Sequence, residues 1–195
     1  MSSGRIKGAA FRELLIWYGS RFGASVLTAR VLSVPPDDRR EFDPYSPSVG
    51  VIPSAWYAAH TVHSLLDAVT AGTSQGEREQ LAIEGSEAVM KATLSGVYRL
   101  IFKVMATPER YASHAPKLWS SYYDCGRFNV ALRGRGAAIC TIESWSSHHD
   151  FICLLNWGAA SAIYRAIGCA NVRTERTSCV DAGASCCRFV TRWDE

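Results

Sequence analysis

The sequence predicts an α+β domain: an antiparallel four-stranded sheet, made of two hairpins, with a bundle of about five helices covering one face. Three observations support this prediction. Apolar residues recur at helical spacing through most of the chain before Gly126. Two pairs of short alternating segments follow, and glycines divide each pair. A further helical pattern separates the two pairs, so the order is helices, hairpin, helix, hairpin.

The first part of the sequence consists of predicted helices around a proline-rich segment. Residues 1–6 are expected to be a loose start. Apolar spacing predicts a helix over Ala9–Ala29, which Gly19 and Gly23 weaken or divide. Five prolines mark residues 34–53 as an internal linker with at most one short helical turn.

Three more helices are predicted before the first hairpin. Ser54 can cap a helix over residues 55–70, and the longest helical pattern covers residues 77–105. Pro108 occupies the favoured first position of a helix over residues 108–124. Small residues in the longest pattern favour close packing against a neighbouring element.

The rest of the chain alternates between strands and a single helix. Apolar residues at every second position mark the strands of the first hairpin, namely Phe128, Val130, Leu132, Ala138, Cys140 and Ile142. Ser147, with Asp150 three residues later, predicts the start of a helix. Small residues, among them Gly158 and Ala162, dominate the second half of that helix and permit close approach by a neighbour.

The second hairpin ends the sequence. A polar strand over residues 172–178 is followed by a turn at residues 181–184. In the last strand Cys187 and Phe189 alternate with Arg188, which is the period of a half-buried antiparallel strand. One face of this strand is therefore expected to lie against the helices.

Composition favours one globular domain over residues 1–195, since 48% of the residues are hydrophobic. The net charge of +3 is scattered, and the densest basic segment, residues 133–136, has the glycines of a hairpin tip. We therefore expect no nucleic-acid partner. No apolar run approaches the ~20 residues that cross a bilayer, and no secretory signal opens the sequence. These features predict a cytoplasmic protein without a membrane span.

Several segments resemble blocks of one known family: Ser54-Ala55-Trp56-Tyr57, Gly96-Val97-Tyr98-Arg99, the run from Pro116 to Asp124, and an ending with Cys179, Gly183, Cys187, Arg188, Phe189 and Trp193. That family is an uncharacterised paralogous set, expanded in myxobacteria, of proteins of similar length. The resemblance covers residues 8–193. The ending also resembles the 4-vinyl-reductase-type small-molecule-binding domains, which include phenol-sensor input domains and share the fold of TRAPP subunits. This resemblance implies a fold, often dimeric through helices, whose core can enclose a hydrophobic ligand.

The cysteines have two open interpretations. The resemblance to phenol sensors implies a structural zinc held by Cys153, Cys179 and Cys187 together with a glutamate. The glutamate position holds Arg176 here, and Glu175 is one residue away, which on a strand is the opposite face. Seven cysteines without an export signal are otherwise expected to be free thiols that fill small apolar spaces. Beyond zinc, no cofactor is indicated.

The histidines beside this helix give no catalytic signature. His149 lies four residues before Cys153, so the two would share a helix face. A Cys–His pair also needs a third orienting group and an oxyanion site, and the sequence marks neither. His60 and His63, three residues apart on a predicted helix, lack a nearby acidic third ligand. The sequence therefore predicts that the protein is not an enzyme.

Large aromatic residues are the candidate ligand-binding residues. Most are expected to be core, but rings are also enriched along ligand cavities and dimer faces. The candidates for a cavity between helices and sheet are Trp56, Tyr98, Trp119, Tyr122 and Trp157.

Together these features predict a regulatory or sensory module that binds a small hydrophobic molecule and signals by contact with protein partners. The alternative is a homodimeric interaction or assembly module without a ligand. A homodimer is expected in either case.

Overall fold

The computed structural model describes residues 4–95 and 106–194 of the chain. Seven helices lie within these ranges: α1 (Arg12–Phe22), α2 (Ala24–Leu32), α3 (Pro36–Arg39), α4 (Ala59–Thr70), α5 (Gln75–Ser95), α6 (Pro108–Ser120) and α7 (Asp150–Ala166). Short 3₁₀ helices cover Gly8–Ala10 and Val180–Ala182. The strands are β1 (Arg5–Lys7), β2 (Trp56–Ala58), β3 (Arg127–Leu132), β4 (Ala137–Glu143), β5 (Ala170–Ser178) and β6 (Cys186–Asp194).

The main sheet has four antiparallel strands in the order β3-β4-β6-β5. The hairpins β3–β4 and β5–β6 pair through their second strands, with Cys140 opposite Phe189. Both of these side chains are fully buried. The predicted α+β class and the four-stranded sheet of two hairpins are confirmed.

Strand β6 shows why the sheet has one buried face. Cys187, Phe189 and Thr191 are buried, whereas Arg188 and Arg192 are exposed. Successive side chains of a strand point to opposite faces, so this alternation places the apolar set against the helices.

A second, two-stranded sheet was not predicted. Strand β1 pairs antiparallel with β2, and Ile6 of β1 is buried with 1% of its surface exposed. The predictions of a loose start through residue 6 and of a helix from residue 55 were therefore wrong at these positions. Three-residue strands are too short to show a period, so tertiary packing alone decides them.

The break between α1 and α2 has a local cause. Gly23 has a φ of 105°, a conformation that residues with a Cβ rarely adopt, and it divides the predicted first helix. The proline-rich segment that follows contains one short helix, α3, as expected. It is nevertheless packed on the core, since Val34, Val49 and Val51 are buried.

Helices α5 and α7 contact each other closely at small residues. A Cβ on Gly158 would stand 2.8 Å from Ser86 Oγ and 3.1 Å from the Ala82 carbonyl oxygen. The Ser86 hydroxyl donates a hydrogen bond of 2.8 Å to the Leu155 carbonyl. The predicted small-residue packing therefore joins these two helices.

Two more predicted helix boundaries change. Helix α7 begins at Asp150 after His149, not at a Ser147 cap, and the Ser147 hydroxyl lies 2.7 Å from Cys125 Sγ instead. Helix α6 ends at Ser120, four residues before the predicted end. The longest helix is described to Ser95, and its predicted continuation lies outside the described residues. None of the helices in the described ranges is long and apolar enough to cross a membrane.

Candidate functional site

A cavity of about 170 Å³ lies between helices α5, α6 and α7 and strand β3. Most of the described residues that line it are apolar or aromatic. They are Ala9, Ala10, Leu14, Ser86, Val89, Met90, Thr93, Tyr111, Ala115, Leu118, Trp119, Tyr122, Tyr123, Phe128, Leu155, Asn156, Ala159, Ala160 and Ile163. Such a lining favours an uncharged ligand.

Helix α7 supplies one wall of this cavity. Leu155, Ala159 and Ile163 recur every four residues and so lie along one stripe of the helix. The short side chains at Ala159 and Ala160 leave room that a leucine would fill. Helix α6 faces this wall with Tyr111, a buried ring in edge contact with Tyr164 of α7.

An aromatic cluster closes the end of the cavity near strand β3. The Trp119 ring stacks on Tyr123 with the centroids 4.1 Å apart and on Phe128 at 5.7 Å, and it meets Trp145 edge-on at 5.2 Å. Its Nε1–H donates to the Cys125 carbonyl at 3.0 Å, so the indole is fixed in orientation. These rings form a rigid wall.

Two tyrosine hydroxyls beside the cavity are held in their neutral form. Burial raises the pKa of Tyr123 to about 12, and burial likewise raises the pKa of Tyr111. At neutral pH both groups therefore remain phenols that can donate a hydrogen bond.

The predicted ligand-binding aromatics fall into three groups. Trp119 and Tyr122 line the cavity. Trp56 and Trp157 are not among the described lining residues: Arg5 and Lys7 lie over the Trp56 ring, and Trp157 Nε1–H donates to the Thr174 carbonyl at 2.9 Å. Tyr98 lies outside the described residues.

A second group of reactive side chains lies at the other end of α7. Cys179 Sγ lies 3.8 Å from Cys153 Sγ and 4.0 Å from Cys187 Sγ, and His148 Nε2 lies 3.5 Å from Cys179 Sγ. We call these four residues the thiol cluster. One ligand atom from each lies within 4.8 Å of those of the other three. The structure thus brings together the three cysteines that the sequence singled out.

Two carboxylates hold Arg176 and His148 beside the thiol cluster. The Arg176 guanidinium donates to Asp150 Oδ1 at 2.8 Å and lies 3.7 Å from Cys179 Sγ. His148 Nδ1 lies 3.0 Å from Asp181 Oδ1. Glu175 is not near the cluster, because its carboxylate pairs with Arg192 on the exposed face of the sheet.

The thiols of the cluster differ in acidity. A hydrogen bond from Cys153 and another from His148 stabilise the Cys187 thiolate and lower its pKa to about 4. The same hydrogen bond, with burial, raises the pKa of Cys153, and burial raises the pKa of Cys179. Burial opposes the protonated form of His148, but the Cys187 thiolate and Asp181 outweigh it and raise the His148 pKa.

Sequence reasoning considered the wrong histidine beside Cys153. His149 Nε2 lies 3.1 Å from Asp67 Oδ1, and its ring contacts the His63 ring with centroids 4.8 Å apart. His148 lies in the thiol cluster because α7 starts after both residues. The sequence analysis placed the helix start at Ser147, so both histidines were expected inside the helix. His149 is instead the extended residue that precedes Asp150, and His148 lies outside the helix.

Comparison with known proteins identifies similar folds but no family. No family model and no curated protein matches the chain. A structure of the Fe(II) unliganded H-NOX protein from K. algicida has a TM-score of 0.69 at 14% identity, over 97% of each chain. An oxygen complex of an H-NOX domain related to soluble guanylate cyclases has a TM-score of 0.67 at 10% identity, over 97% of this chain and 96% of that one. A structure described by haem redox potential and porphyrin distortion has a TM-score of 0.65 at 10% identity, over 96% and 100%.

These findings overturn two predictions. The assignment to the myxobacterial family and to the 4-vinyl-reductase and TRAPP folds was wrong, because the similar structures are H-NOX proteins. The structural zinc was also wrong, because haem iron, not zinc, is the metal associated with these structures. The chain has the fold of the H-NOX proteins.

Proposed function

We propose that this protein is a non-enzymatic sensory module that binds a small apolar molecule directly, without haem, in the cavity beside α7, and that it signals its occupancy to a protein partner. The observation that carries the proposal is a mostly apolar cavity in a fold that is similar to that of an oxygen-binding H-NOX domain. The cavity is adjacent to α5, α6, α7 and β3, so an occupant would contact three helices and the sheet.

The described residues of the cavity do not fit a haem. Haem iron is usually held by histidine, cysteinate, methionine or tyrosinate. All five histidines and all seven cysteines lie in the described part of the chain, and none lines the cavity. His114 of α6 is close in sequence to the lining residues, but it is exposed and its Nδ1 lies 2.8 Å from the Arg110 carbonyl oxygen.

The other side chains that can bind haem iron, tyrosine and methionine, are also unsuitable here. The Tyr111 ring packs edge-on against Tyr164 and the Tyr123 ring stacks on Trp119, so both rings are held in the wall of the cavity. Met90 offers a thioether, but no strong second ligand stands among the described lining residues. That lining also contains no lysine, arginine or histidine to pair with the two propionates of a haem.

The cavity volume favours a much smaller occupant. An apolar protein cavity of roughly 150 Å³ holds one benzene molecule. The cavity here, about 170 Å³, is of that size, whereas a porphyrin contains four pyrrole rings. The polar groups at its edge, Ser86, Asn156 and the tyrosine hydroxyls, could orient a ligand that carries one hydrogen-bonding group.

A ligand screen tests this function. We expect benzene, phenol or cyclohexane to raise the melting temperature of the protein, since a ligand at 100 times its Kd adds about 2.7 kcal/mol to the free energy of unfolding. Ala160→Leu, which fills the cavity, should abolish the shift. Ala166→Leu, at the exposed end of the same helix, is the matched control and should retain it.

A haem titration provides the opposing test. Adding haemin to the purified protein should leave its absorption spectrum that of free haemin. A stoichiometric shift of the main haem band that Ala160→Leu removes would contradict direct ligand binding. A flat response to every probe in the screen would count against the cavity as a site.

A further inference from the structure

Two hydroxyls of α5 that line the cavity already use their protons within the helices. The Ser86 hydroxyl donates to the Leu155 carbonyl at 2.8 Å. The Thr93 hydroxyl donates to the Val89 carbonyl at 2.8 Å. A hydroxyl has one proton, so each of these groups can only accept a further hydrogen bond. Ser86 and Thr93 therefore offer a ligand oxygen lone pairs but no donor.

Asn156 of α7 also directs its donors to protein groups. Its Nδ2 donates to the Ile152 carbonyl at 2.8 Å. A hydrogen bond from the Asn156 side chain to the Tyr123 phenol oxygen partly opposes the effect of burial on the Tyr123 pKa. An amide nitrogen has two protons, so both are then occupied. The phenol oxygen accepts from Asn156 and keeps its own proton for another acceptor.

The Tyr123 hydroxyl lies where a ligand can reach it. Tyr123, in the connection between α6 and β3, and Asn156 both line the cavity, so their contact is at its wall. The Tyr123 ring stacks on Trp119 and meets Trp145 edge-on, with centroids 5.9 Å apart. These rings fix the direction of the phenol.

The Tyr111 hydroxyl has a different position. It lies beside Cys140 and Tyr164, neither of which is among the described lining residues. Its ring lines the cavity, but its hydroxyl is on the side of the neighbouring core. We therefore take the Tyr123 O–H, and not that of Tyr111, as the donor that a ligand meets.

The size and charge of the cavity limit the rest of the ligand. Its volume of about 170 Å³ is slightly larger than the roughly 150 Å³ that holds one benzene molecule. One six-membered ring with a short substituent therefore fits. An ionised substituent does not fit, because none of the described lining residues carries a charge that could pair with it.

We propose that the ligand is an uncharged one-ring molecule with one carbonyl oxygen, and that this oxygen accepts the hydrogen bond of the Tyr123 hydroxyl. The inference rests on the proposed function and adds the class of ligand to it. A carbonyl needs only this one contact, whereas a hydroxyl would also need an acceptor for its own proton. A purely apolar ligand would cover the Tyr123 O–H without pairing it, which weakens binding.

The experiment compares two probes of nearly the same shape, cyclohexanone and methylenecyclohexane, which differ in a carbonyl oxygen against a CH₂ group. NMR titrations of the full chain give the Kd of each. Water solvates the ketone better, so the informative quantity is how the ratio of the two Kd values changes in a variant. Tyr123→Phe should weaken cyclohexanone binding roughly two- to tenfold, the value of one hydrogen bond, and leave methylenecyclohexane within about twofold.

Two further measurements assign the effect to the Tyr123 hydroxyl. Tyr122→Phe removes the neighbouring phenol of the lining and is the matched control, which should keep the ratio of the parent chain. The infrared C=O stretch of cyclohexanone bound to the parent chain should lie below its frequency in cyclohexane, because a hydrogen bond weakens the C=O bond. This second measurement needs no variant, so it stands even if Tyr123→Phe folds poorly.

The possible failures are distinguishable. An unchanged ratio in Tyr123→Phe, a changed ratio in Tyr122→Phe instead, or a bound C=O stretch at the frequency found in cyclohexane would each overturn the assignment of ligand class. The cavity would remain a binding site in these cases, because both probes would still bind. If neither probe nor benzene binds the parent chain, the proposed function fails and this inference fails with it.

Discussion

Gly158 of α7 lies against Ser86 of α5 so closely that a Cβ on the glycine would stand 2.8 Å from the serine hydroxyl. This contact sets the separation of two helices that both line the cavity. We expect Gly158→Ala to cost about 1–3 kcal/mol of unfolding free energy, because a neighbouring carbonyl oxygen belongs to rigid backbone. Urea denaturation measures the loss.

A second helical glycine provides the control. Gly76 of α5 has no atom within 4 Å of where its Cβ would stand. Gly76→Ala should therefore be neutral or stabilise the protein by roughly 0.5–1 kcal/mol, since alanine favours a helix. Equal effects of the two substitutions would contradict the packing account.

The Arg176–Asp150 ion pair anchors the start of α7 to β5. Its side chains are only 20% and 24% exposed, whereas the neighbouring Arg192–Glu175 pair is 60% and 69% exposed. We expect Arg176→Met to lower the unfolding free energy by about 1–3 kcal/mol, because it leaves the largely buried Asp150 carboxylate with only the longer contact to Arg78, at 3.9 Å. Arg192→Met should change it by less than about 0.5 kcal/mol. Parallel denaturant titrations compare the two variants.

His63 should make stability depend on pH in the acid range. Burial and the neighbouring His149 lower its pKa from 6.5 to about 4. The unfolded chain therefore binds a proton near pH 6.5 that the folded chain refuses until about pH 4. The stability from neutral His63 is complete above pH 6.5 and is lost as the pH falls towards 4.

The size of this effect is on the order of 1–2 kcal/mol after allowance for partial exposure. Between pH 6.5 and pH 4, the unfolding free energy of His63→Phe should fall less steeply than that of the parent protein. His60→Phe, on the exposed side of the same helix, should keep the slope of the parent protein. A His63→Phe profile parallel to the parent's would assign the acid sensitivity to other groups.

The Tyr164 hydroxyl is buried and has no hydrogen-bond partner in the described part of the chain. Removing it should relieve the cost of an unsatisfied polar group, so we expect Tyr164→Phe to be neutral or to stabilise the protein by about 1 kcal/mol. Trp119→Phe is the contrasting variant. It breaks the bond to the Cys125 carbonyl and should cost roughly 1–3 kcal/mol. Thermal unfolding of both variants tests this difference in sign.

Local periodicity was sufficient to predict the main sheet and several helices. The alternation of Cys187, Arg188 and Phe189 gave the buried face of β6, and Gly23 marked the break between α1 and α2. These features depend on a few neighbouring residues, so the sequence contains them directly. The strands β1 and β2 depend on contacts between distant segments, and no local pattern indicates them.

The cysteine spacing predicted a contact but not a fold family. Cys179 and Cys187 lie near the closed end of the hairpin β5–β6, as their separation by seven residues indicates. Many antiparallel ribbons can place two cysteines in this way, so the spacing does not distinguish one superfamily from another. His148 was missed because the direction of its side chain depends on where α7 begins. Apolar spacing does not determine that helix start to within one residue.

Helix α7 carries Cys153 in its first turn and the lining residue Ile163 about 15 Å further along its axis. If a change at the thiol cluster alters the affinity for an occupant of the cavity, thermodynamic reciprocity requires the occupant to alter the equilibrium constant of that change by the same factor. A single rigid rod would then make the protein respond to two signals jointly, and measuring either response would determine the other.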